Sequence, residues 1–176
     1  MIVVVITGPI ASGKSTLGRA VAVELADRGR DSAVVDLDLV YEMLDPSRRP
    51  KTDGTRWMDA RRLAGKIATG LAARREAVVV EGEFATDEQR ADFCEELLHD
   101  WRVSFVTLTV DFDEAWQRAM ADPTREGSKD KDFLAAHYRA LDDAEVADGD
   151  LVLDTGAVSV SVAAHAVVDW LLLVPR

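Results

Sequence analysis

A chain of 176 residues, 48% hydrophobic and 30% charged, is long enough to bury a proper core and too apolar for wholesale disorder. Its net charge of −11 speaks against nucleic acid and anionic membranes as partners. The single cysteine, Cys94, excludes an internal disulfide and points to a reducing, cytoplasmic compartment.

The apolar start Met1–Ile6 runs directly into Thr7-Gly8, without a basic leader or a small-residue cleavage site. It reads as a first strand, Ile2–Ile6, and not as a signal peptide. A helix is predicted from about Lys14 to Arg28, with Gly29 as its stop. Ala33–Val35 is the second strand, ending in Asp36-Leu37-Asp38, with a short helix over Leu39–Leu44. Ser47–Gly54 is a loop, and apolar positions recur at helical spacing from about Arg56 to Arg75. Ala77–Val80 reads as a buried parallel strand. A helix over Asp87–Leu98, a strand over Val103–Val110 and a helix over Asp113–Ala121 follow. Beyond the polar loop Asp122–Lys131 come a helix over Phe133–Leu141, a strand over Leu151–Leu153 and a helix over Val158–Leu173. The apolar stretch Val167–Val174 is far shorter than the ~20 residues that a membrane-spanning helix needs.

Strands that alternate with helices predict an α/β fold: a five-stranded parallel sheet with helices on both faces. Ligands of such sheets bind beyond the carboxyl ends of the strands. Four polar clusters follow strands directly, Gly8–Thr16, Asp36–Asp38, Glu81–Phe84 and Asp154–Gly156, which predicts one shared site.

Gly8-Pro9-Ile10-Ala11-Ser12-Gly13-Lys14-Ser15-Thr16 matches G-x-x-x-x-G-K-[ST] between a strand and a helix. Such a loop aims backbone N–H groups at one phosphate chain. Gly13 permits close approach, Lys14 reaches the outer phosphates, and the Ser15 hydroxyl serves Mg2+. ATP with Mg2+ is therefore the expected nucleotide. Were the second strand to persist through Asp38, Asp36 and Asp38 would point the same way. Asp36 is assigned to the magnesium side and Asp38 to the general base for an acceptor hydroxyl; the structural alternative is that Asp38 caps the next helix. Glu81 is assigned to orient magnesium-bound water, with Glu83 an alternative or a solvated loop acid. Tyr41, Trp57, Met58 and Phe84 are candidates to line an acceptor pocket, although Trp57 is also in phase to be helix core. His99, His137 and His165 have no partner at metal-ligand spacing and read as structural or surface residues; Cys94 reads as packing.

The P-loop, the Asp-x-Asp, the strand ending in Glu81-Gly82-Glu83-Phe84 and the loop bearing Arg125 together resemble the small-molecule P-loop kinases, among them shikimate kinase, gluconate kinase and chloramphenicol phosphotransferase. The resemblance is one of motif order and spacing over nearly the whole chain. It implies a three-layer P-loop domain over residues 1–176, a lid at about 122–131 and a substrate-binding region at about 39–75. It further implies that Asp38 meets the acceptor hydroxyl and that Arg56 anchors the acceptor; Trp57, Gly82, Glu83 and Phe84 are assigned to the acceptor side beside them. Arg125 would then arrive with the lid during transfer, and Arg118, Thr155 and Gly156 would lie on the nucleotide's base and phosphates. The glycine-rich turn that this family has after its third strand is kept here only as Gly82. The expected activity is transfer of the ATP γ-phosphoryl group to a hydroxyl of a small molecule, a metabolite or an antibiotic. A nucleoside or nucleoside-monophosphate kinase, drawing on Arg48, Arg49, Arg56, Arg61 and Arg62, is the first alternative. A nucleotide-binding regulator without transferase activity is the second.

Overall fold

The computed structural model describes residues 1–47, 53–98, 101–123, 129–142 and 149–173. Five strands, β1 (Ile2–Thr7), β2 (Ser32–Asp36), β3 (Ala77–Glu81), β4 (Arg102–Thr109) and β5 (Leu151–Asp154), form one parallel sheet in the order β2-β3-β1-β4-β5. The helices are α1 (Lys14–Asp27), α2 (Leu37–Leu44), α3 (Gly54–Ala72), α4 (Asp87–Cys94), α5 (Phe112–Ala121), α6 (Lys131–Asp142) and α7 (Val160–Leu173). The parallel α/β architecture is the one that the alternation of periods predicts.

The strands show why both faces must be covered. β3 is buried at every position, and β1 at every position after Ile2. Val3, Val5, Val78 and Val80 pack with Val40, Ala60, Ala64, Ala68 and Phe93 of α2, α3 and α4. Their neighbours Val4, Ile6 and Val79 point the other way, onto Leu17, Val21 and Leu25 of α1 and Val167, Val168 and Leu171 of α7. Alternation along a strand thus builds two cores, one per face. A smaller cluster of Ala11, Val110, Ala115 and Ala119, with Ile10 and Tyr138 against it, joins the first loop to α5 and α6.

β1 lies at the centre, so its carboxyl end is flanked by those of β3 and β4. The register sets Ile6 beside Glu81 and Asp36 beside Glu81, which brings the ends of three strands level. No helix among the described residues is long and apolar enough to cross a membrane.

α2 begins two residues earlier than predicted. Asp36, not Asp38, is the cap: its Oδ1 accepts the N–H groups of Asp38 at 2.9 Å and Leu39 at 3.3 Å. The strand therefore ends at Asp36, and Asp38 is an exposed residue of the first helical turn. The two aspartates do not share one side of an extended strand. Gly82 explains part of this turn, since a Cβ there would lie 2.5 Å from the Cβ of Leu37, closer than side chains pack.

Candidate functional site

The loop between β1 and α1 is shaped by left-handed residues. Gly13, the N-cap of α1, has φ 92°, and Ala11 has φ 64°. A non-glycine residue in that region costs on the order of 1–2 kcal/mol, so the surrounding structure holds Ala11 there. Left-handed positions turn successive N–H groups toward one concavity, the geometry of an anion nest at a helix N-terminus. Lys14 Nζ donates to the carbonyls of Gly8 and Pro9, each at 2.9 Å, and so spans the mouth of the loop. Ser12 is fully buried, and its Oγ has no hydrogen-bond partner among the described residues.

Three groups meet beside this mouth. Glu81 at the end of β3 is 3% exposed, and burial pushes its carboxyl up to about 7. The hydrogen bond from Ser15 pulls it down, the carboxylate of Asp36 pushes it up again, and Lys14 lowers it. A hydroxyl and two like charges at a strand end suit a small hard cation. Among the described residues no three His, Cys, Asp or Glu side chains converge. The donor set therefore fits Mg2+ that keeps waters and takes phosphate oxygens, and does not fit an ion caged by protein alone.

On the far side, the turn after β5 is tied to the loop. Thr155 Oγ1 donates to the Ser12 carbonyl at 2.9 Å. Arg118 of α5 reaches the same residue, with Nη1 2.9 Å from Thr155 Oγ1 and Nη2 2.7 Å from the Thr155 carbonyl. Its Nη2 also donates to Glu114 at 2.6 Å. Gly156 closes the turn beside Glu114, and its N–H donates to Asp154 Oδ1 at 2.9 Å. Arg118 thus meets the turn that carries Thr155 and Gly156, and a hydrogen bond links that turn to the loop.

The acceptor side needs corrections. Phe84 is fully buried and stacks edge-on against Phe93 at 5.6 Å, so it lines no open pocket. Its N–H donates to Thr7 Oγ1 at 2.9 Å, which turns the chain back into the core. Gly82 is also buried, donates its N–H to the Ile6 carbonyl at 3.1 Å and packs on Leu37. Tyr41 is 2% exposed and packs on Trp57 at 4.4 Å, which leaves Trp57 half-buried at the rim of the core. Arg56 bonds Asp45 and lies 3.8 Å from Asp53, joining the end of α2 to the start of α3. Arg61 and Arg62 are both drawn to Asp92, at 3.2 and 3.6 Å. Arg48, Arg49, His99 and Arg125, with residues 124–128 of the predicted lid loop, lie outside the described residues.

The sequence reading missed two residues. His137 of α6, read as structural or surface, accepts the Ile10 N–H at Nε2, 3.2 Å away, and stands 3.8 Å from Glu83. Burial pushes its pKa below the usual range, Glu83 opposes that shift, and Lys14 adds to it. The neighbouring Tyr138 donates its hydroxyl to the Ile10 carbonyl at 3.0 Å. Only the adjacency of two ring side chains in a helix after a polar loop marks them in the sequence, and that signal is not specific.

Comparison with known proteins places this geometry. None of the curated proteins matches the sequence. Among solved structures, a sugar kinase from Janibacter sp. HTCC2649 is similar with a TM-score of 0.72 and 22% identity, over 99% of this chain and 96% of that one. A gluconokinase from Sinorhizobium meliloti 1021 is similar with a TM-score of 0.66 and 19% identity, over 96% and 90%. Shikimate kinase from Acinetobacter baumannii, solved with shikimate, follows with a TM-score of 0.57 and 19% identity, over 97% and 92%. These likenesses establish a shared three-layer fold. A family model described as an AAA domain, AAA_33, matches residues 3–144, so the chain belongs to that family of P-loop domains.

Proposed function

We propose that this protein is a kinase that transfers the γ-phosphoryl group of ATP to a hydroxyl of a small molecule. The observation that carries the reading is the meeting of Ser15, Asp36 and Glu81 at the mouth of an already shaped phosphate nest. The sugar kinase and the gluconokinase support a hydroxyl acceptor, since this chain shares their fold over almost their whole length.

The chemistry divides among the chain's own groups. Amide hydrogens of the loop hold the phosphate chain. Lys14 exchanges the Gly8 and Pro9 carbonyls for outer phosphate oxygens. Ser15, Asp36 and Glu81 would hold Mg2+, which would supply charge neutralisation on those oxygens. Arg118 and Thr155 support the turn, ending in Gly156, that takes the base. Asp38, exposed at the start of α2, accepts the proton of the acceptor hydroxyl as its oxygen bonds the γ-phosphorus. The bond from that phosphorus to the bridging oxygen breaks, and ADP departs. A lid carrying Arg125 completes the proposal, as does the acceptor region around Arg56, Trp57 and Glu83.

An acceptor that itself bears a phosphate needs converging arginines. Arg56, Arg61 and Arg62 are each committed to carboxylates, which favours a neutral acceptor. The test is a screen of sugars, other hydroxyl metabolites, nucleosides and antibiotics for ATP-dependent phosphorylation, with Asp38→Asn as the paired variant. That variant is expected to lose about 10²- to 10⁴-fold in kcat with nucleotide affinity unchanged. Transfer at the parental rate removes Asp38 from the base role.

A further inference from the structure

One contact has no part in the proposed reaction, and it lies on the phosphate loop itself. Helix α6 grips both polar groups that flank the Ile10 side chain. His137 Nε2 accepts the Ile10 N–H at 3.2 Å, and Tyr138 Oη donates to the Ile10 carbonyl at 3.0 Å. These bonds span more than 120 residues of sequence, so they are tertiary and not part of the loop's local geometry. Beneath them Ile10, Ala11 and Tyr138 pack with Val110, Ala115 and Ala119. The loop is therefore held from α6 by one accepted and one donated hydrogen bond over an apolar base.

We propose that His137 is a positioning residue for the phosphate loop: its neutral imidazole accepts the Ile10 N–H and, together with Tyr138, fixes the Pro9-Ile10-Ala11 peptides in the shape that receives a triphosphate. An imidazolium has no lone pair at Nε2 and cannot accept that bond. Protonation therefore releases the loop, and nucleotide affinity becomes sensitive to acid. Three features keep the ring neutral near pH 7: its burial, the ammonium of Lys14 on the loop side, and the N–H of Ile10 itself. Glu83, from the segment after β3, acts in the opposite sense at 3.8 Å. Arg118 of α5 and Asp111, its N-cap, act on the neighbouring phenol of Tyr138, whose burial pushes it up to about 12, so the phenol stays a donor throughout.

The proposal rests on the reading of the loop as a nucleotide site, and its test separates the two. In nucleotide-free protein the Ile10 amide resonance is expected to shift with pH in step with the His137 ring, and to lose that shift in His137→Gln. A glutamine places a carbonyl oxygen near the Nε2 position and does not titrate. With magnesium and a non-hydrolysable ATP analogue, His137→Ala is expected to bind about five- to twentyfold more weakly at pH 7.5, and His137→Gln within about twofold of the parent. As pH falls, the parent should lose affinity relative to His137→Gln. Should His137→Ala fail to fold, Tyr138→Phe removes the second grip alone and is expected to weaken binding about threefold. The proposal is overturned by an Ile10 amide that does not follow the ring. It is equally overturned if the parent gains affinity over His137→Gln in acid, since the imidazolium would then be gripping phosphate directly. If the amide follows the ring and the analogue binds as described but no acceptor is phosphorylated, the clasp stands and the kinase reading fails.

Discussion

Glu81→Gln is expected to make the nucleotide-free protein more stable at pH 8 while sharply lowering magnesium-dependent transfer. Burial raises the Glu81 carboxyl to about 7, and Asp36 adds to the effect. The folded state therefore holds this proton more tightly than the unfolded chain, whose Glu titrates near 4.5. The contribution of Glu81 to stability is full below pH 4.5 and declines as pH rises through about 7; above that the folded protein carries the whole burden of a buried carboxylate. Glutamine removes that burden, and its amide can donate to Asp36 while its carbonyl accepts from Ser15. At pH 8 the gain is about 2–3 kcal/mol, which corresponds to a rise of about 5–10 °C in Tm for a chain of this size. At pH 4 the two proteins should melt together. Thermal denaturation at both pH values checks this, and equal Tm values at pH 8 would refute the burial argument. Activity moves the other way, because a neutral amide is a poor partner for magnesium. Transfer should fall about 10²-fold or more, and magnesium should no longer add to the rise in Tm that ATP gives the variant.

Lys14→Ala carries the second large effect. In the structure its ammonium sits on two carbonyls of its own loop, 2.9 Å from each, poised at the mouth where a triphosphate would lie. Alanine removes the point charge that follows the γ-phosphoryl as negative charge spreads over its oxygens. The expected loss is about 10²- to 10³-fold in kcat, with weaker ATP binding. Because the same side chain crosslinks Gly8 and Pro9, a circular dichroism melt must show that the fold survives. Lys14→Arg separates the two roles, since the guanidinium keeps the charge but does not reproduce a compact ammonium between two carbonyls. Full turnover by Lys14→Ala would count against the loop's place in the chemistry.

What the sequence made legible was what depends on short spacing. The loop Gly8–Thr16 is a contiguous motif, and its neighbours in sequence, a buried strand and a helix, are its neighbours in space. Asp36 and Glu81 were legible because both end strands, and parallel register carries strand ends to one edge. Arg118 and Thr155 were legible only through family resemblance, and the structure joins them by side-chain bonds that no spacing encodes. Phe84 failed as a pocket residue because the turn after β3 bends inward, with its N–H on Thr7 and its ring on Phe93. The α2 boundary failed because two aspartates competed for one cap and the earlier one won. His137 and Tyr138 were invisible because their partner, Ile10, lies at the opposite end of the chain.

The left-handed conformation of Ala11 has a calorimetric consequence. His137 and Tyr138 hold the preceding residue, Ile10, through contacts made by the protein alone. Polyphosphate thus meets a cup that needs no refolding, and little apolar surface changes its hydration on entry. Inorganic tripolyphosphate titrated into the protein should release heat with a heat-capacity change near zero, whereas a strongly negative value would mean that the cup is assembled around its contents.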